Sequence, residues 1–367
     1  MKKIGRVILI ALASIIGIGM VGFIFVHVKS PGKLDPLKDQ SGKVIAGSLA
    51  EKNFIEIGGV RQGFFIRSEN PDNPVILFLH GGPGSPELAL SIPYESSERL
   101  EKYFTVCYWD QRGAGMSYNA SIDTATMTVE QMVEDTRRMT EYLQRRFRQE
   151  KIYLMGHSWG TYLGIKTIGK YPENYLAYIG IGQVSAQRRS EKLAYDYMLQ
   201  HATETNDQVA LKKLNVHDSQ APGFPTFDYM MIRSVLMNKY GIGMMRQNLT
   251  MVNILKILIS FKGYTVSEKI NYLRGSLFSL YSLFGFVLDD NLFESSASFD
   301  IPVYITHGIY DYQVSYTLAR EYFDAIDAPA KDFITFENAA HSPNMEEPEK
   351  FVRVVRNIAG KSWARKK

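Results

Sequence analysis

The sequence predicts an α/β protein with a doubly wound, mostly parallel sheet, a helical lid insertion and an N-terminal transmembrane helix. Continuous apolar runs recur along the chain, and such runs are typical of strands buried on both faces of a parallel sheet. Helical patterns separate these runs, as in doubly wound folds. Near the N-terminus, an uncharged apolar stretch from Val7 to Val26 has about the 20 residues that a helix needs to cross a bilayer.

The composition is that of a folded domain. The 367 residues are 45% hydrophobic and 22% charged, with a formal net charge of +4, and these values are ordinary for globular proteins. No run of Lys and Arg interleaved with aromatic residues indicates a nucleic-acid surface, so no nucleic-acid partner is predicted. The single cysteine, Cys107, lies in an apolar run and is predicted to be a buried structural thiol.

Residues 1–28 are predicted to be a single-pass membrane anchor. A cleaved signal peptide is the alternative, but its apolar region is usually about 7–15 residues long and ends at a small-x-small site. This run is longer and ends in the bulky residues 23–26. Three basic residues within the first six favour an extracytoplasmic position for the domain that follows, although further lysines follow the run. The stretch 29–52, rich in Lys, Gly, Pro and Ser, is predicted to be a linker.

An insertion is predicted to divide the α/β core into two parts, 53–185 and 299–367. Within the first part, Gly58-Gly59 lies between two β-like runs and predicts an antiparallel hairpin. Thr128 and Gln131 together predict a capping box at the start of a helix. Five continuous apolar runs predict buried strands: 75–79, 103–109, 152–155, 178–181 and 303–306.

Between 186 and 298 the alternation of strands and helices fails. Apolar and aromatic runs dominate this stretch, which predicts a mostly helical insertion. Ligands bind at the carboxyl edge of open α/β sheets, so an insertion over that edge would act as a lid. One apolar run in it, 277–288, is too short to span a membrane.

The pentapeptide Gly156-His157-Ser158-Trp159-Gly160 predicts a nucleophile at Ser158. It matches the pattern G-x-S-x-G, a strand runs directly into it, and a helical pattern follows. Such a turn holds the serine on a strained backbone and projects its Oγ above the sheet. A serine hydroxyl is a weak nucleophile, so it requires a neighbouring base.

The predicted partners of Ser158 are Asp311 and His341. In a G-x-S-x-G hydrolase the chain order is serine, acid, histidine. His341 follows the last strand-like run, and Asp311 follows the run 303–306. His341 would act as the base, and Asp311 would fix its tautomer and stabilise the imidazolium.

An oxyanion hole is predicted beside Ser158. The sequence His-Gly-Gly-Pro-Gly over 80–84 follows a strand, where this type of site draws one backbone donor. The expected donors are the N–H of Trp159 and that of Gly82 or Gly81. Asp110 and Arg112 follow the next strand. They could bind substrate, but bracing of the neighbouring loop is the favoured interpretation.

These motifs resemble the prolyl iminopeptidases of the α/β-hydrolase superfamily. The resemblance rests on HGGPG at 80–84, WDQRGAGMS at 109–117 and GHSWG at 156–160, followed by a late Asp and His. It spans about 53 to 360, is weakest in the lid, and implies the α/β-hydrolase fold. It also implies release of an N-terminal residue, often proline, from short peptides.

The resemblance further implies that acidic lid residues hold the free α-amine of the substrate. The acids available there are Glu191, Asp196, Asp218, Asp228, Asp289, Asp290 and Glu294. No local pattern shows which of them face the pocket, and Glu191, Asp228 and Glu294 are taken as the candidates.

Three functions remain open from the sequence. The first is a proline-type aminopeptidase acting on small peptides, and the second is a carboxylesterase, lipase or thioesterase using the same triad on acyl esters. The third, a non-catalytic binding protein, would need a broken triad, and all three positions are intact. Haloalkane- or epoxide-type chemistry needs a carboxylate where Ser158 stands. Neither a metal nor a cofactor is expected.

Overall fold

The computed structural model describes residues 22, 24–247 and 249–364, and a sheet of eight strands forms its centre. The strands are β1 (Leu49–Ile57), β2 (Val60–Ser68), β3 (Val75–Leu79), β4 (Thr105–Trp109), β5 (Ile152–His157), β6 (Tyr175–Ile181), β7 (Val303–Gly308) and β8 (Lys331–Phe336). Their spatial order is β1-β2-β4-β3-β5-β6-β7-β8. Only β1–β2 and β2–β4 pair antiparallel within this sheet. The predicted mostly parallel, doubly wound sheet is therefore confirmed.

Helices flank the sheet on both faces and fill the insertion. They are α1 (Glu87–Ser91), α2 (Val129–Phe147), α3 (Trp159–Lys170), α4 (Gln187–Glu204), α5 (Gln208–Leu214), α6 (Phe227–Tyr240), α7 (Met251–Ser260), α8 (Val266–Asp289), α9 (Leu292–Ser295), α10 (Tyr316–Ala325), α11 (Pro343–Glu346) and α12 (Pro348–Ala364). Short 3-10 turns lie at Ile92–Tyr94, Leu100–Lys102, Gly115–Ser117, Thr124–Thr126 and Pro172–Asn174.

Each central strand is buried on both faces, which explains its continuous apolar sequence. In β3, Val75, Leu77 and Leu79 pack into one hydrophobic cluster. The alternate residues Ile76 and Phe78 pack into a second cluster. Side chains alternate across a strand, so the two clusters lie on opposite faces of the sheet.

The register of the parallel strands brings their carboxyl ends to one edge. Leu79 of β3 pairs with both Trp109 of β4 and Gly156 of β5. Farther along, His157 pairs with Ile181 of β6, which in turn pairs with β7. The loops after β3, β4, β5, β6 and β7 consequently meet at this edge, and they carry the motifs identified in the sequence.

The segment predicted to be a linker differs from expectation in two ways. Strand β1 begins at Leu49, inside the predicted boundary at 52, because its pairing with β2 extends to Ser68. Upstream, the chain packs against the loop between α7 and α8 in the insertion: the N–H of Lys33 donates to the carbonyl of Lys262 at 3.1 Å. Leu37 is buried as well. This stretch is thus a packed arm that contacts the lid.

The predicted anchor 1–28 lies almost entirely outside the described residues, which include only Gly22 and 24–28 of it. Residues 24–28 are helical. Within the part of the chain that the structure describes, no helix is both long enough and apolar enough to cross a membrane.

The predicted capping box of α2 is half correct. The hydroxyl of Thr128 accepts the N–H of Gln131 at 3.2 Å, as expected. The side-chain amide of Gln131 instead donates to the buried carboxylate of Asp135 at 2.7 Å. A charged acceptor binds a donor more strongly than a neutral one, so Gln131 turns toward the core.

Candidate active site

Ser158 lies on the sharp turn between β5 and α3. Its backbone adopts φ 55° and ψ −121°, a region that L-residues rarely occupy. Two glycines allow the turn to close: a Cβ on Gly156 would lie 2.3 Å from the carbonyl oxygen of Gly160, and a Cβ on Gly160 would lie 2.1 Å from that of Leu79. This strained turn projects the Ser158 side chain beyond the carboxyl end of the sheet.

His341 and Asp311 form a buried pair at the same edge. His341 Nδ1 lies 2.7 Å from Asp311 Oδ2, and the other carboxylate oxygen accepts the N–H of Val314 at 2.9 Å. With Nδ1 held by the carboxylate, Nε2 is the nitrogen left to act as a base. Among the described residues, His341 Nε2 is buried and has no hydrogen-bond partner.

The loop after β6 brings Ser158 and His341 together. The N–H of Ser158 donates to the carbonyl of Ile181 at 2.9 Å. The next residue, Gly182, packs so closely on His341 that a Cβ there would lie 2.8 Å from the ring nitrogen Nδ1. In addition, the ring of His157 lies 5.0 Å from that of His341. The turn that carries Ser158 and the loop that carries His341 therefore both pack against the end of β6 and the residue after it.

A second histidine contacts Asp311, the predicted acid of the triad. His307 Nε2 lies 2.9 Å from Asp311 Oδ2 and 3.0 Å from the carbonyl oxygen of Val314. Its Nδ1 accepts the N–H of Gln183 at 3.3 Å, which fixes the proton on Nε2. No role was predicted for His307 from the sequence, although a histidine at the end of a buried strand, four residues before Asp311, was a usable signal.

The protonation states suit a general base. Burial opposes the charged form of Asp311, but His341 and His307 outweigh it and hold the pKa of Asp311 well below its usual range. Burial lowers the pKa of His341, although Asp311 opposes this shift. At neutral pH the pair is thus a carboxylate beside a neutral imidazole.

The glycine-rich loop after β3 lies against Ser158. A Cβ on Gly81 would lie 3.1 Å from the Cβ of Ser158 and 3.7 Å from its Oγ. Gly82 has φ 114°, which favours glycine. Trp159 is the first residue of α3, where backbone N–H groups have no partner within the helix. Gly81 and Trp159 are therefore next to Ser158, and Gly82 follows Gly81 in the same loop.

Asp110, Gln111 and Arg112 brace these loops. Arg112 forms a buried bidentate pair with Asp135 in α2, with Nε at 2.7 Å from Oδ2. The N–H of Gln111 donates to His80 Nε2 at 3.1 Å, and its side-chain oxygen accepts the indole N–H of Trp159 at 2.9 Å. Burial lowers the pKa of His80 to about 4, so this ring is neutral.

The lid acids have different surroundings. Glu191 is fully buried, but its Oε2 lies 2.5 Å from Nε of Arg233. Asp228 and Glu294 are exposed, and Glu294 accepts a hydrogen bond from Asn291. The other acids are also exposed or paired at the surface: Asp196, Asp218, Asp289 and Asp290. Of the three candidates, only Glu191 is buried.

No group of three or more His, Cys, Asp or Glu side chains suited to a metal ion occurs within 24–247 and 249–364.

Comparison with known proteins shows the family to which the chain belongs. Residues 74–348 match the family described as the alpha/beta hydrolase fold, and the chain belongs to that family. It is 31% identical over 308 residues to the probable aminopeptidase YbaC of Bacillus subtilis (strain 168), covering 84% of this chain and 96% of that protein.

Within this family, the chain resembles the proline iminopeptidases. The proline iminopeptidase of Heyndrickxia coagulans is 23% identical over 83% of this chain and 96% of its own length. The crystal structure of the Mycobacterium smegmatis proline iminopeptidase superimposes with a TM-score of 0.62 at 18% identity. That match covers 85% of this chain and 98% of the solved one, and it supports the fold.

Proposed function

We propose that this chain is a serine hydrolase of the aminopeptidase type that releases N-terminal residues, proline in particular, from small peptides. The observation that carries the chemistry is the strained Ser158 turn beside the buried His341–Asp311 pair. The observation that favours a peptidase is the extent of similarity to aminopeptidases, which covers more than four-fifths of the chain.

The reaction begins when Ser158 Oγ attacks the carbonyl carbon of the first peptide bond and His341 Nε2 takes the hydroxyl proton. Negative charge develops on the carbonyl oxygen, where the N–H groups of Trp159 and of Gly82 or Gly81 act as donors. Collapse of this intermediate breaks the C–N bond, and the imidazolium of His341 gives its proton to the leaving amine. A water molecule then hydrolyses the acyl-serine by the same steps, releasing the amino acid and free Ser158.

A buried polar cluster in the lid supports recognition of a free α-amine. Glu191 accepts from Gln187 Nε2 at 2.8 Å and pairs with Arg233. Both Gln187 and Arg233 donate to the carbonyl of Gln313, two residues after the triad acid. Gln187 Oε1 is buried without a partner among the described residues, so it can accept an ammonium proton. We assign amine recognition to Gln187 and Glu191.

An esterase acting on acyl esters is the second candidate, because the lid exposes apolar side chains. Phe227, Leu277 and Tyr281 are 61%, 57% and 70% exposed, and Phe227 stacks on Tyr281. Apolar surface of this kind marks contact sites for lipid-like or protein ligands.

Three substrates separate the two candidates: prolyl-4-nitroanilide, its N-acetyl form and 4-nitrophenyl butyrate. We expect a kcat/KM for the free amine at least 100-fold above that for the blocked amide, since a blocked amine leaves the buried acceptors unpaired. Fast turnover of the ester with both amides inert would favour the esterase and exclude the peptidase.

We further propose that residues 1–28 anchor the enzyme in a membrane, with the catalytic domain outside the cytoplasm. The uncharged run of spanning length supports this. Mass spectrometry of the membrane-extracted mature protein should recover the intact N-terminus. A soluble product that begins near residue 30 would instead indicate a cleaved signal peptide.

A further inference from the structure

A buried histidine and glutamate lie behind the proposed base. His157, the residue before the nucleophile, is 2% exposed, and Glu87 in α1 is 4% exposed. Nδ1 of His157 lies 3.0 Å from Glu87 Oε2. Nε2 lies 3.1 Å from the backbone carbonyl oxygen of His341. We infer that His157 and Glu87 form a buried charge pair that positions His341 and sets the acidic limit of its working pH range. This inference rests on the proposed role of His341 as the base.

The two contacts of His157 require two donors. A backbone carbonyl only accepts, so Nε2 carries a proton, and a carboxylate at 3.0 Å accepts from Nδ1. A neutral imidazole has a single N–H, so the ring that satisfies both contacts is an imidazolium. Burial opposes this charge, but Glu87 outweighs it and raises the pKa of His157.

Glu87 connects the pair to the loop that carries His341. Its Oε1 accepts the side-chain N–H of Asn344 at 2.9 Å, three residues after His341. Burial opposes the Glu87 carboxylate, but the charge of His157 outweighs burial and the pKa of Glu87 is lowered. The pair therefore holds the 341–344 loop at both ends, through the carbonyl of His341 and the amide of Asn344.

The charge of the pair also acts on the His341 ring. The two imidazole rings are 5.0 Å apart and tilted by 36°. In a dry interior, a cation at this distance disfavours a second cation. Burial is the main cause that lowers the pKa of His341, Asp311 opposes it, and His157 lowers it further. The imidazolium of His157 thus keeps His341 neutral at lower pH than Asp311 alone would allow.

Other titratable groups face this assembly and stay in place when the pair is altered. His307 contacts Asp311 from β7. Near Glu87, His80 acts from the loop after β3 and Tyr272 from α8. Glu346 acts on the Asp311 side and accepts the N–H of Ala340 at 2.7 Å. A change confined to His157 or Glu87 therefore tests the pair itself.

The test measures the second-order rate of labelling by a fluorophosphonate from pH 5 to 9 on the full chain, because this reaction needs the triad and no particular substrate. In the plot of labelling rate against pH, the acidic limb is the range in which the rate falls as His341 becomes protonated. We expect His157→Gln and Glu87→Gln each to move this limb to higher pH by about one unit. The double variant should show the same shift as either single one, because a buried group that loses its charged partner becomes neutral: Glu87→Gln leaves His157 neutral and His157→Gln leaves Glu87 protonated. Asn344→Ala keeps both charged side chains but removes one contact to the 341–344 loop, so it should slow labelling at every pH while the acidic limb stays at the pH of the wild type.

An unchanged limb in both single variants, with labelling otherwise intact, would overturn the inference. If the substitutions prevent folding, NMR of the 15N-histidine-labelled wild type decides the matter. We expect His157 to carry protons on both nitrogens at pH 7, and a neutral ring would refute the charge pair. A wild type that is never labelled would contradict the proposed serine chemistry, whereas labelling without the shift would contradict only the role of the pair.

Discussion

The sheet edge and the lid both bury charge, but they use it differently. At the edge, the buried polar groups contact either the proposed reacting residues or the loops that carry them, as Arg112 does through Asp135 at 2.7 Å. In the lid, Glu191 is neutralised by Arg233 at 2.5 Å, within the same insertion. Burial raises the pKa of Glu191 although Arg233 lies beside it.

For the proposed function, this difference indicates that the sheet edge would carry the chemistry and the lid the specificity. The edge holds one fixed arrangement in which every charge has a partner, and such preorganisation favours the transition state. In the lid, Glu191 and Arg233 are paired with each other, and the neighbouring Gln187 Oε1 is buried without a partner among the described residues. Changes in the lid should therefore alter substrate choice while sparing the nucleophile.

Replacement of the nucleophile tests the edge most directly. Ser158→Ala should lower kcat by roughly five orders of magnitude, because the attacking oxygen is lost. A fluorophosphonate should label the wild type and not this variant. Ser342→Ala is the control, since its hydroxyl is also buried and has no hydrogen-bond partner in the described part of the chain. Equal labelling of the wild type and Ser158→Ala would refute the assignment.

The two buried ion pairs give a direct test of the separation. Arg112→Met and Arg233→Met each leave a buried carboxylate without its cationic partner, and each should lower the free energy of unfolding by about 3–5 kcal/mol. Urea denaturation measures this loss.

Arg112→Met should also slow fluorophosphonate labelling more than tenfold, since the loop beside the oxyanion hole loses its brace. Arg233→Met should label within about threefold of the wild type and instead raise KM for free-amine substrates. Equal effects on labelling would contradict the proposed division.

The sequence predicted the sheet and its edge better than it predicted the lid. The sheet could be predicted because strands buried on both faces need continuous apolar runs, as in 75–79 and 303–306. The serine turn was visible because only small residues fit at Gly156 and Gly160. Chain order then led to Asp311 and His341, which the structure brings together at 2.7 Å.

Long-range partners could not be predicted. Glu87 and His157 are 70 positions apart, and no local pattern links them. The lid acids look alike in sequence, yet Glu191 meets Arg233 across 42 positions while Asp228 faces solvent. Gln131 was expected to complete a cap, but a buried carboxylate four residues later attracts it. In the first two cases the deciding contact depends on packing between distant elements. In the third, Asp135 lies in the same helix as Gln131 but is buried in its long-range pair with Arg112.

Asp110 offers a pH-dependent test of the contact between edge and lid. Its Oδ2 accepts the N–H of Met116 and the hydroxyl of Tyr264, which precedes α8, both at 2.8 Å. Burial raises the pKa of Asp110 from 3.8 to about 7. The folded state therefore keeps its proton up to about pH 7, while the unfolded chain loses it above about pH 4. This contribution to stability is fully present below pH 4 and is lost as the pH rises toward 7.

Asp110→Asn removes that titration and keeps a neutral acceptor of similar shape. Between pH 5 and pH 7 the wild type should lose about 2–3 kcal/mol of stability relative to the variant. Urea denaturation of both proteins at several pH values measures the difference, which also cancels the titration of all unchanged groups. A difference that does not vary with pH would show that Asp110 is ionised in the folded protein.

Trp159→Phe is expected to have the smallest effect, and it separates the two roles of this residue. The indole N–H donates to Gln111 Oε1 at 2.9 Å, while the backbone N–H is a proposed oxyanion donor. Phenylalanine keeps the backbone donor and the apolar packing but leaves the buried Gln111 oxygen without this bond, which should cost about 1–2 kcal/mol of stability. Because the backbone donor remains, labelling should slow by less than tenfold at neutral pH. Gln111→Leu in the same background should lower stability further, because it also removes the bond from Gln111 Nε2 to the buried carbonyl of His80 at 3.2 Å. A hundredfold loss of labelling in a well-folded Trp159→Phe variant would show instead that the indole itself holds the oxyanion loop in its working geometry.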